Sequence, residues 1–183
     1  RAIDQSQLRR GIGYVTQESV IFNDTIRNNI TLWKDDAKVD MVRSVATRAY
    51  LAEFIESLPQ KYDTVLGDSG LNISGGQRQR VNIARELFKD AQILIFDEAT
   101  SSLDTTSERE IQKNIDDFRG EKTVIVIAHR LSTVKNSDMI FVLKDGEIIE
   151  RGSYAQLYNL GGEFTSMVNQ QSLSNVTTQA KVQ

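Results

Sequence analysis

The adjacent carboxylates Asp97 and Glu98 are the residues of this sequence best suited to chemistry. They follow an apolar run at residues 93–96, which predicts a buried strand that ends at the rim of a sheet. At such a rim one carboxylate can hold Mg²⁺ directly or through water, and a second can orient or deprotonate a water molecule. We therefore expect Asp97 to be a metal ligand and Glu98 to act on water. The alternative is a buried strand that ends in a solvated acidic turn.

Two further strands are expected to position this pair. Residues 123–128 are apolar and follow an amphipathic helix marked by Ile111, Ile115 and Phe118. Apolar strands alternating with such helices indicate a parallel sheet that is covered on both faces. A short strand is expected at residues 12–17. Near the C-terminus, Asp145-Gly146 predicts a hairpin between strands at 139–143 and 147–149.

The remaining elements are expected to be mainly helical. An amphipathic pattern at residues 37–58 is long enough for more than one helix, and Pro59 ends it. Residues 60–72 predict a loop, and short helices are expected at 154–158 and 164–170. We expect one domain over residues 1–170, with a helical part at about 25–90. The polar tail at 171–183 is expected to be disordered.

A second candidate site lies where Ser74, Gly75, Gly76 and Gln77 begin a helix. Backbone N–H groups at a helix start point outward without intrahelical partners, and glycine allows a phosphate to approach closely. The alternative is a tight turn before a helix, with Val81, Ala84, Leu87 and Phe88 on its buried side.

Composition excludes several classes of function. The sequence has 183 residues, 22 basic and 25 acidic, and a net charge of −3, so it offers no broad electrostatic attraction for nucleic acid. It has no cysteine, which excludes disulfides and thiolate chemistry within these residues and fits a reducing compartment. Its apolar runs are much shorter than the ~20 residues that span a bilayer.

The order of motifs resembles that of ABC-type ATPases. Residues 72–80 (Asn-Ile-Ser-Gly-Gly-Gln-Arg-Gln-Arg) resemble the family's signature sequence, and residues 93–98 resemble its Walker B segment. Gln17 resembles the Q-loop glutamine, residues 101–104 resemble the D-loop that ends in Asp104, and His129 resembles the switch histidine. Residues 14–17, 21–30 and 128–132 resemble the exporter branch of the family.

This resemblance implies an α/β fold: a partial RecA-like P-loop NTPase core, with a mostly parallel sheet flanked by helices and an inserted α-helical subdomain. It implies ATP and Mg²⁺ as cofactors. Glu98, His129 and Gln17 would be catalytic, with Gln17 also reaching the metal held by Asp97. Nucleotide-binding residues would be Ser74, Gly75, Gly76, Gln77 and Asp104.

The resemblance also implies partners. Two such domains bind head to tail, so the signature residues of one domain serve the nucleotide of the other. Residues 64–70 would touch the coupling helices of a transmembrane domain, with Asp68 where glutamate is more usual. The expected location is the cytoplasmic face of a membrane, with the cell inner membrane or plasma membrane favoured.

The phosphate-binding loop of the family, Gly-x-x-x-x-Gly-Lys-Ser/Thr, does not occur in the sequence. We expect it to precede Gln17 in a longer parent protein, and we expect this portion alone to be inactive. The alternatives are a non-catalytic regulatory or binding fragment of the same superfamily and a soluble or importer ATPase. A chromosome-maintenance ATPase is disfavoured because no heptads separate Gln17 from Ser74.

Overall fold

The computed structural model describes residues 4–68, 70–99, 105–128 and 130–180. The chain forms two compact units, residues 1–127 and residues 128–183. This division does not follow the boundaries expected from sequence. One domain at residues 1–170 and a tail at 171–183 stay a prediction.

A three-stranded parallel sheet forms the centre of the first unit. Its strands are β1 (Ile12–Val15), β2 (Ile93–Asp97) and β3 (Thr123–Ile127), in the order β1-β2-β3. The register pairs Tyr14 with Ile95 and Asp97 with Ile127. The mixed α/β class and the parallel sheet expected from sequence are therefore confirmed.

Helices precede and connect these strands. They are α1 (Gln5–Gly11), α2 (Ile26–Thr31), α3 (Val39–Arg48), α4 (Ala52–Ser57), α5 (Gly75–Phe88) and α6 (Thr105–Asp117), with a short 3-10 helix at Lys61–Asp63. The amphipathic region at 37–58 is two helices, as expected from its length. On α5 the predicted apolar side is buried, and Ile111 and Ile115 of α6 join the same core as Val15, Leu94 and Phe96.

The other face of the sheet differs from the expectation that both faces are covered. Ile125 is 47% exposed and Ile127 is 49% exposed, and Tyr14 is also exposed. Both connections, from β1 to β2 and from β2 to β3, run between adjacent parallel strands in one direction across the sheet. Because such crossovers share one handedness, they place their helices on the same face.

The second unit contains a hairpin and two helices. Its elements are a 3-10 helix (Leu131–Val134), β4 (Ile140–Lys144), β5 (Glu147–Gly152), α7 (Tyr154–Leu160) and α8 (Glu163–Ala180). The predicted turn is confirmed, with positive φ at Asp145 (52°) and Gly146 (82°). A small core includes Leu157 and Phe164.

The tail expected to be disordered is corrected at residues 171–180, because α8 continues to Ala180. Residues 163–180 contain no glycine or proline to end a helix. The first turn of α8 is fixed by the Glu150 carboxylate, which accepts from the backbone N–H groups of Glu163 (2.6 Å) and Phe164 (3.0 Å). Further along, Gln171 Oε1 accepts from the backbone N–H of Leu131 (2.9 Å).

Of the helices in the described ranges, none combines the length and the apolar character needed to cross a bilayer.

Candidate functional site

Asp97 ends β2 and lies on the exposed face of the sheet together with Tyr14 of β1. The parallel register aligns Tyr14 with Ile95, so Asp97 is the next residue on the same face. Tyr14 Oη donates a hydrogen bond to Asp97 Oδ2. This hydrogen bond raises the pKa of Tyr14, because the neutral phenol is the form that donates to the carboxylate.

Tyr14 is a site residue whose contact with Asp97 the sequence analysis missed. In the sequence, Tyr14 was noted only as part of residues 14–17, which resemble the exporter branch. The proximity of Tyr14 and Asp97 can be inferred once β1 and β2 are paired in register, because residues two apart on a strand share a face.

Glu98 stands at the carboxyl ends of two neighbouring strands. Its backbone N–H donates to the carbonyl oxygen of Ile127 (3.0 Å), which continues the pairing of β2 with β3 beyond Asp97. The backbone of Glu98 has φ +48°, in the left-handed region. Its side chain is half-buried. Glu98 is therefore held at the edge of the sheet where the sequence predicted it.

Gln17 follows β1 at the same edge. Its side chain is exposed and it lies outside regular secondary structure, just past Val15. Because β1 and β2 are parallel neighbours, Gln17, Asp97 and Glu98 all lie at the carboxyl end of the sheet. Open α/β sheets bind ligands at this end.

The oxygen groups at this edge fit Mg²⁺. Carboxylate and amide oxygens and water are the ligands this ion takes, and Mg²⁺ commonly needs only one or two carboxylates from the protein. Accordingly, a dense acidic cluster is not required, and groups of three or more His, Cys, Asp or Glu suited to a metal do not occur among the described residues. Asp97 offers a carboxylate at the rim, although its Oδ2 already accepts from Tyr14.

The start of α5 is built by a capping box between Ser74 and Gln77. Ser74 Oγ accepts from the backbone N–H of Gln77 (3.2 Å), and Gln77 Oε1 accepts from the backbone N–H of Ser74 (2.8 Å). A serine hydroxyl that accepts one hydrogen bond can still donate one. Ser74 is exposed, so its hydroxyl can reach an anion at the helix start.

The two glycines of this turn have different surroundings. Gly75 is half-buried, whereas Gly76 is buried against α6. A Cβ at position 76 would lie 2.4 Å from Ser107 Oγ and 2.8 Å from Ser107 Cβ. Glycine at 76 is therefore required by the close approach of α5 and α6, in addition to any role near a phosphate.

The segment expected to touch a membrane domain is anchored at its beginning. The carbonyl oxygen of Thr64 accepts from the backbone N–H of Ile26 (2.9 Å), and the backbone N–H of Leu66 donates to the carbonyl oxygen of Asp24 (2.9 Å). Leu66 is fully buried and Val65 is 36% exposed. Asp68 follows the turn at Gly67 (φ +89°).

Two predicted site residues, His129 and Asp104, lie outside the described residues, as do Ser101, Ser102 and Leu103. Of the predicted site residues, the structure therefore describes Gln17, Asp97 and Glu98 at the sheet edge and Ser74 to Gln77 at the start of α5.

Known proteins are similar to this chain in sequence and in fold. The family model described as ABC transporter matches residues 1–101. An ATP-dependent lipid A-core flippase from Desulfotalea psychrophila is 50% identical over 171 residues, which is 93% of this chain and 30% of the relative. ABC transporter B family member 6 from Dictyostelium discoideum is 49% identical over 172 residues, which is 94% of this chain and 25% of the relative.

A solved structure titled as a bacterial Atm1-family ABC exporter with ATP bound superposes with a TM-score of 0.82 at 46% identity. The match covers 92% of this chain and 30% of that chain. The chain therefore spans less than a third of the length of these proteins. Because that family model matches more than half of the chain, and the sheet, the capped helix α5 and the acidic pair lie in the expected order, the chain belongs to the ABC transporter family.

Proposed function

We propose that this chain is the C-terminal portion of the ATP-hydrolysing motor domain of an ABC exporter, acting at the cytoplasmic face of a membrane. The observation that carries the proposal is the position of Asp97 and Glu98 at the carboxyl end of β2, beside the strand that leads to Gln17. Relatives named as flippases and exporters, at about half identity, support the same assignment.

The proposed reaction converts ATP and water to ADP and phosphate. Asp97 would hold Mg²⁺ through an oxygen or a bound water, and the ion would supply positive charge against the phosphate oxygens. Gln17 would reach the same ion. Glu98 would accept a hydrogen bond from the attacking water and orient it, while His129 would contact the terminal phosphate. Catalysis of this kind consists mainly of positioning and electrostatic stabilisation.

The proposed assembly is a head-to-tail pair of such domains. Ser74 to Gln77 at the start of α5, together with Asp104, would then serve the nucleotide bound by the partner domain. Residues 64–70 would contact the coupling helices of the transmembrane domain. The exposed Ser74 hydroxyl and the exposed Val65 side chain are compatible with contacts to partners at these places.

Replacing Glu98 by Gln in the intact protein tests the proposal. The amide keeps the size of the side chain but removes the carboxylate, so ATP binding should persist while turnover falls about 100-fold or more. Binding would be measured by calorimetry and turnover by phosphate release. The matched control is Glu53→Gln, an exposed glutamate on α4, which should keep normal turnover. Normal hydrolysis by the Glu98→Gln variant would refute the assignment.

A further inference from the structure

Gln79 of α5 bonds to residues on both sides of Gln17, to the backbone of Thr16 and to the side chain of Ser19. Its side chain is 2% exposed. Its Nε2 donates to the carbonyl oxygen of Thr16 (3.1 Å), and its Oε1 accepts from Ser19 Oγ (2.5 Å). One buried amide therefore binds the residue before Gln17 and a residue shortly after it.

A second contact fixes the far end of the same segment. Arg85, further along α5, donates from Nη2 to the carbonyl oxygen of Val20 (3.1 Å) and from Nε to the carbonyl oxygen of Asn29 (2.8 Å). Its guanidinium lies 5.1 Å from the centre of the Phe22 ring. Of these two buried side chains, Gln79 is the one whose hydrogen bonds bracket Gln17.

No helix or strand includes Gln17. It lies past the end of β1 and its side chain is exposed. The position of its backbone is therefore set by how its neighbours are held. Gln79 lies on the helix that Ser74 caps, so its two hydrogen bonds join Thr16 and Ser19 to the element that begins at the signature residues.

We propose that Gln79 is a positioning residue for Gln17, which makes the Gln17 segment move with the signature helix α5. This inference rests on the proposed function, in which Gln17 acts at the nucleotide. Binding of a partner's nucleotide at the start of α5 would then change the position of Gln17 in the domain's own site. Two neighbouring nucleotide sites would be coupled through one buried amide.

The contact itself is tested by hydrogen exchange in the full-length protein without nucleotide. Gln79→Met keeps the side-chain length but removes both hydrogen bonds. The matched control is Asn114→Leu on α6, a fully buried amide whose Nδ2 donates within its own helix, to the Glu110 carbonyl oxygen (2.9 Å). The backbone N–H of Phe22, which donates to Asn29 Oδ1 (2.8 Å) at the end of this segment, should exchange about ten-fold faster in Gln79→Met and at the normal rate in Asn114→Leu. Unchanged exchange in Gln79→Met would overturn the inference.

The route through Gln17 is tested by a double-mutant cycle on hydrolysis. Single-turnover measurements with labelled ATP allow slow variants to be followed. Gln79→Met should lower the rate constant about 10- to 100-fold with little change in the ATP concentration at half-maximal rate, as expected for misplacement of a reacting group. In a Gln17→Ala background the same substitution should have no further effect. Multiplying effects in the double variant would show that Gln79 acts independently of Gln17.

A conservative variant gives a second readout. Gln79→Glu keeps an acceptor for Ser19 but places a carboxylate against the Thr16 carbonyl oxygen. Its exchange and hydrolysis defects should become smaller as pH falls, because the protonated carboxyl group can donate again. A defect that is the same at every pH would contradict the hydrogen-bond account. If Glu98→Gln were fully active while the exchange results held, the proposed function would fail and the contact would stand.

Discussion

The hydrogen bond from Tyr14 to Asp97 gives the acidic site a property that can be measured. The bond raises the pKa of Tyr14 above its ordinary value of 10.0. A raised folded-state pKa means that the stabilisation is present below about pH 10 and is lost as pH rises through the folded-state value. The Tyr14→Phe variant should therefore be less stable than the unsubstituted protein at neutral pH.

Chemical denaturation at several pH values checks this prediction. The stability difference between the parent and Tyr14→Phe should shrink at alkaline pH. Tyr158→Phe, an exposed tyrosine in the second unit, serves as the control. A Tyr14→Phe difference that stays constant to high pH would show that the phenol does not donate to Asp97.

Asp24 provides a second residue-scale prediction, because it bonds the only tryptophan. Trp33 Nε1 donates to Asp24 Oδ2 (2.6 Å), and the backbone N–H of Thr25 (2.6 Å) and Asn28 Nδ2 (2.9 Å) donate to Oδ1. These bonds, with that of Trp33 first, lower the pKa of Asp24 below 3.8. A lowered folded-state pKa contributes stability above 3.8 that is lost as pH falls through the folded-state value.

Tryptophan fluorescence of the 183-residue chain follows this titration. The emission of Trp33 should change only below pH 3.8, and Asp24→Asn should abolish the change and lower stability at neutral pH. Asp36→Asn, which alters an exposed acid close in sequence, should leave the titration intact. An emission change centred above pH 4 would contradict the assignment.

At the residue scale the sequence predicted the strand end that carries the acidic pair better than it predicted side-chain contacts. The apolar run at 93–96 was enough to place Asp97 and Glu98 at a strand end. The Tyr14 bond and the two bonds of Gln79 depend on strand register and helix packing, which bring together residues far apart in the chain. No local pattern carries that information.

At the scale of the elements, the packing of α5 on α6 predicts whether a substitution at Gly76 raises or lowers the free energy of unfolding. Alanine in a helix is normally favoured over glycine by about 1 kcal/mol. At Gly76, however, the added Cβ would meet Ser107 Oγ at 2.4 Å. Gly76→Ala should therefore lower the free energy of unfolding by about 1–3 kcal/mol, as overpacking does.

Two further variants isolate this contact by denaturant unfolding. Ser107→Gly should recover most of the loss when combined with Gly76→Ala. Gly11→Ala, at a position with no atom within 4 Å of the added Cβ, should not destabilise. If Gly76→Ala were more stable than the parent, the close approach of the two helices would be wrong.

Element prediction succeeded where a local signal existed. Ser74 followed by Gln77 predicted the start of α5, and the capping box confirms it. Helix α1 was missed because it buries no residue and so has no apolar stripe, although Asp4 Oδ1 accepts from the backbone N–H of Ser6 (3.0 Å) at its start. The end of α8 was missed because the sequence there is polar and lacks apolar periodicity, although a polar segment can continue a helix already begun.

For the whole molecule, the missing phosphate-binding motif leads to a prediction about ligand binding. That motif supplies the backbone N–H groups and the lysine that surround the phosphates of a nucleotide. The 183-residue chain alone should therefore bind ATP no tighter than about 1 mM, a binding free energy near −4 kcal/mol.

Isothermal calorimetry with Mg²⁺ and ATP checks this expectation, with the intact parent protein as the positive control. Micromolar binding by the 183-residue chain would mean that phosphate ligands within it were overlooked. Phosphate release by the same sample should stay at the background rate.

The sequence predicted the family and the fold class because the motifs keep their order along the chain. It did not predict the division at residues 127 and 128 or the half-exposed sheet face at Ile125 and Ile127. Apolar strands look the same whether one or both faces are covered. The number of covered faces depends on how many crossover helices a chain supplies and on which side they pass.

The left-handed backbone at Glu98 (φ +48°) sets protein stability against activity at one position. A side chain in this conformation costs roughly 1–2 kcal/mol relative to glycine. Glycine at position 98 would relieve that cost and also remove the carboxylate that is proposed to orient water. Selection for heat resistance alone would thus favour losing the group that is proposed to act in hydrolysis, and directed evolution of this domain must include a screen for turnover.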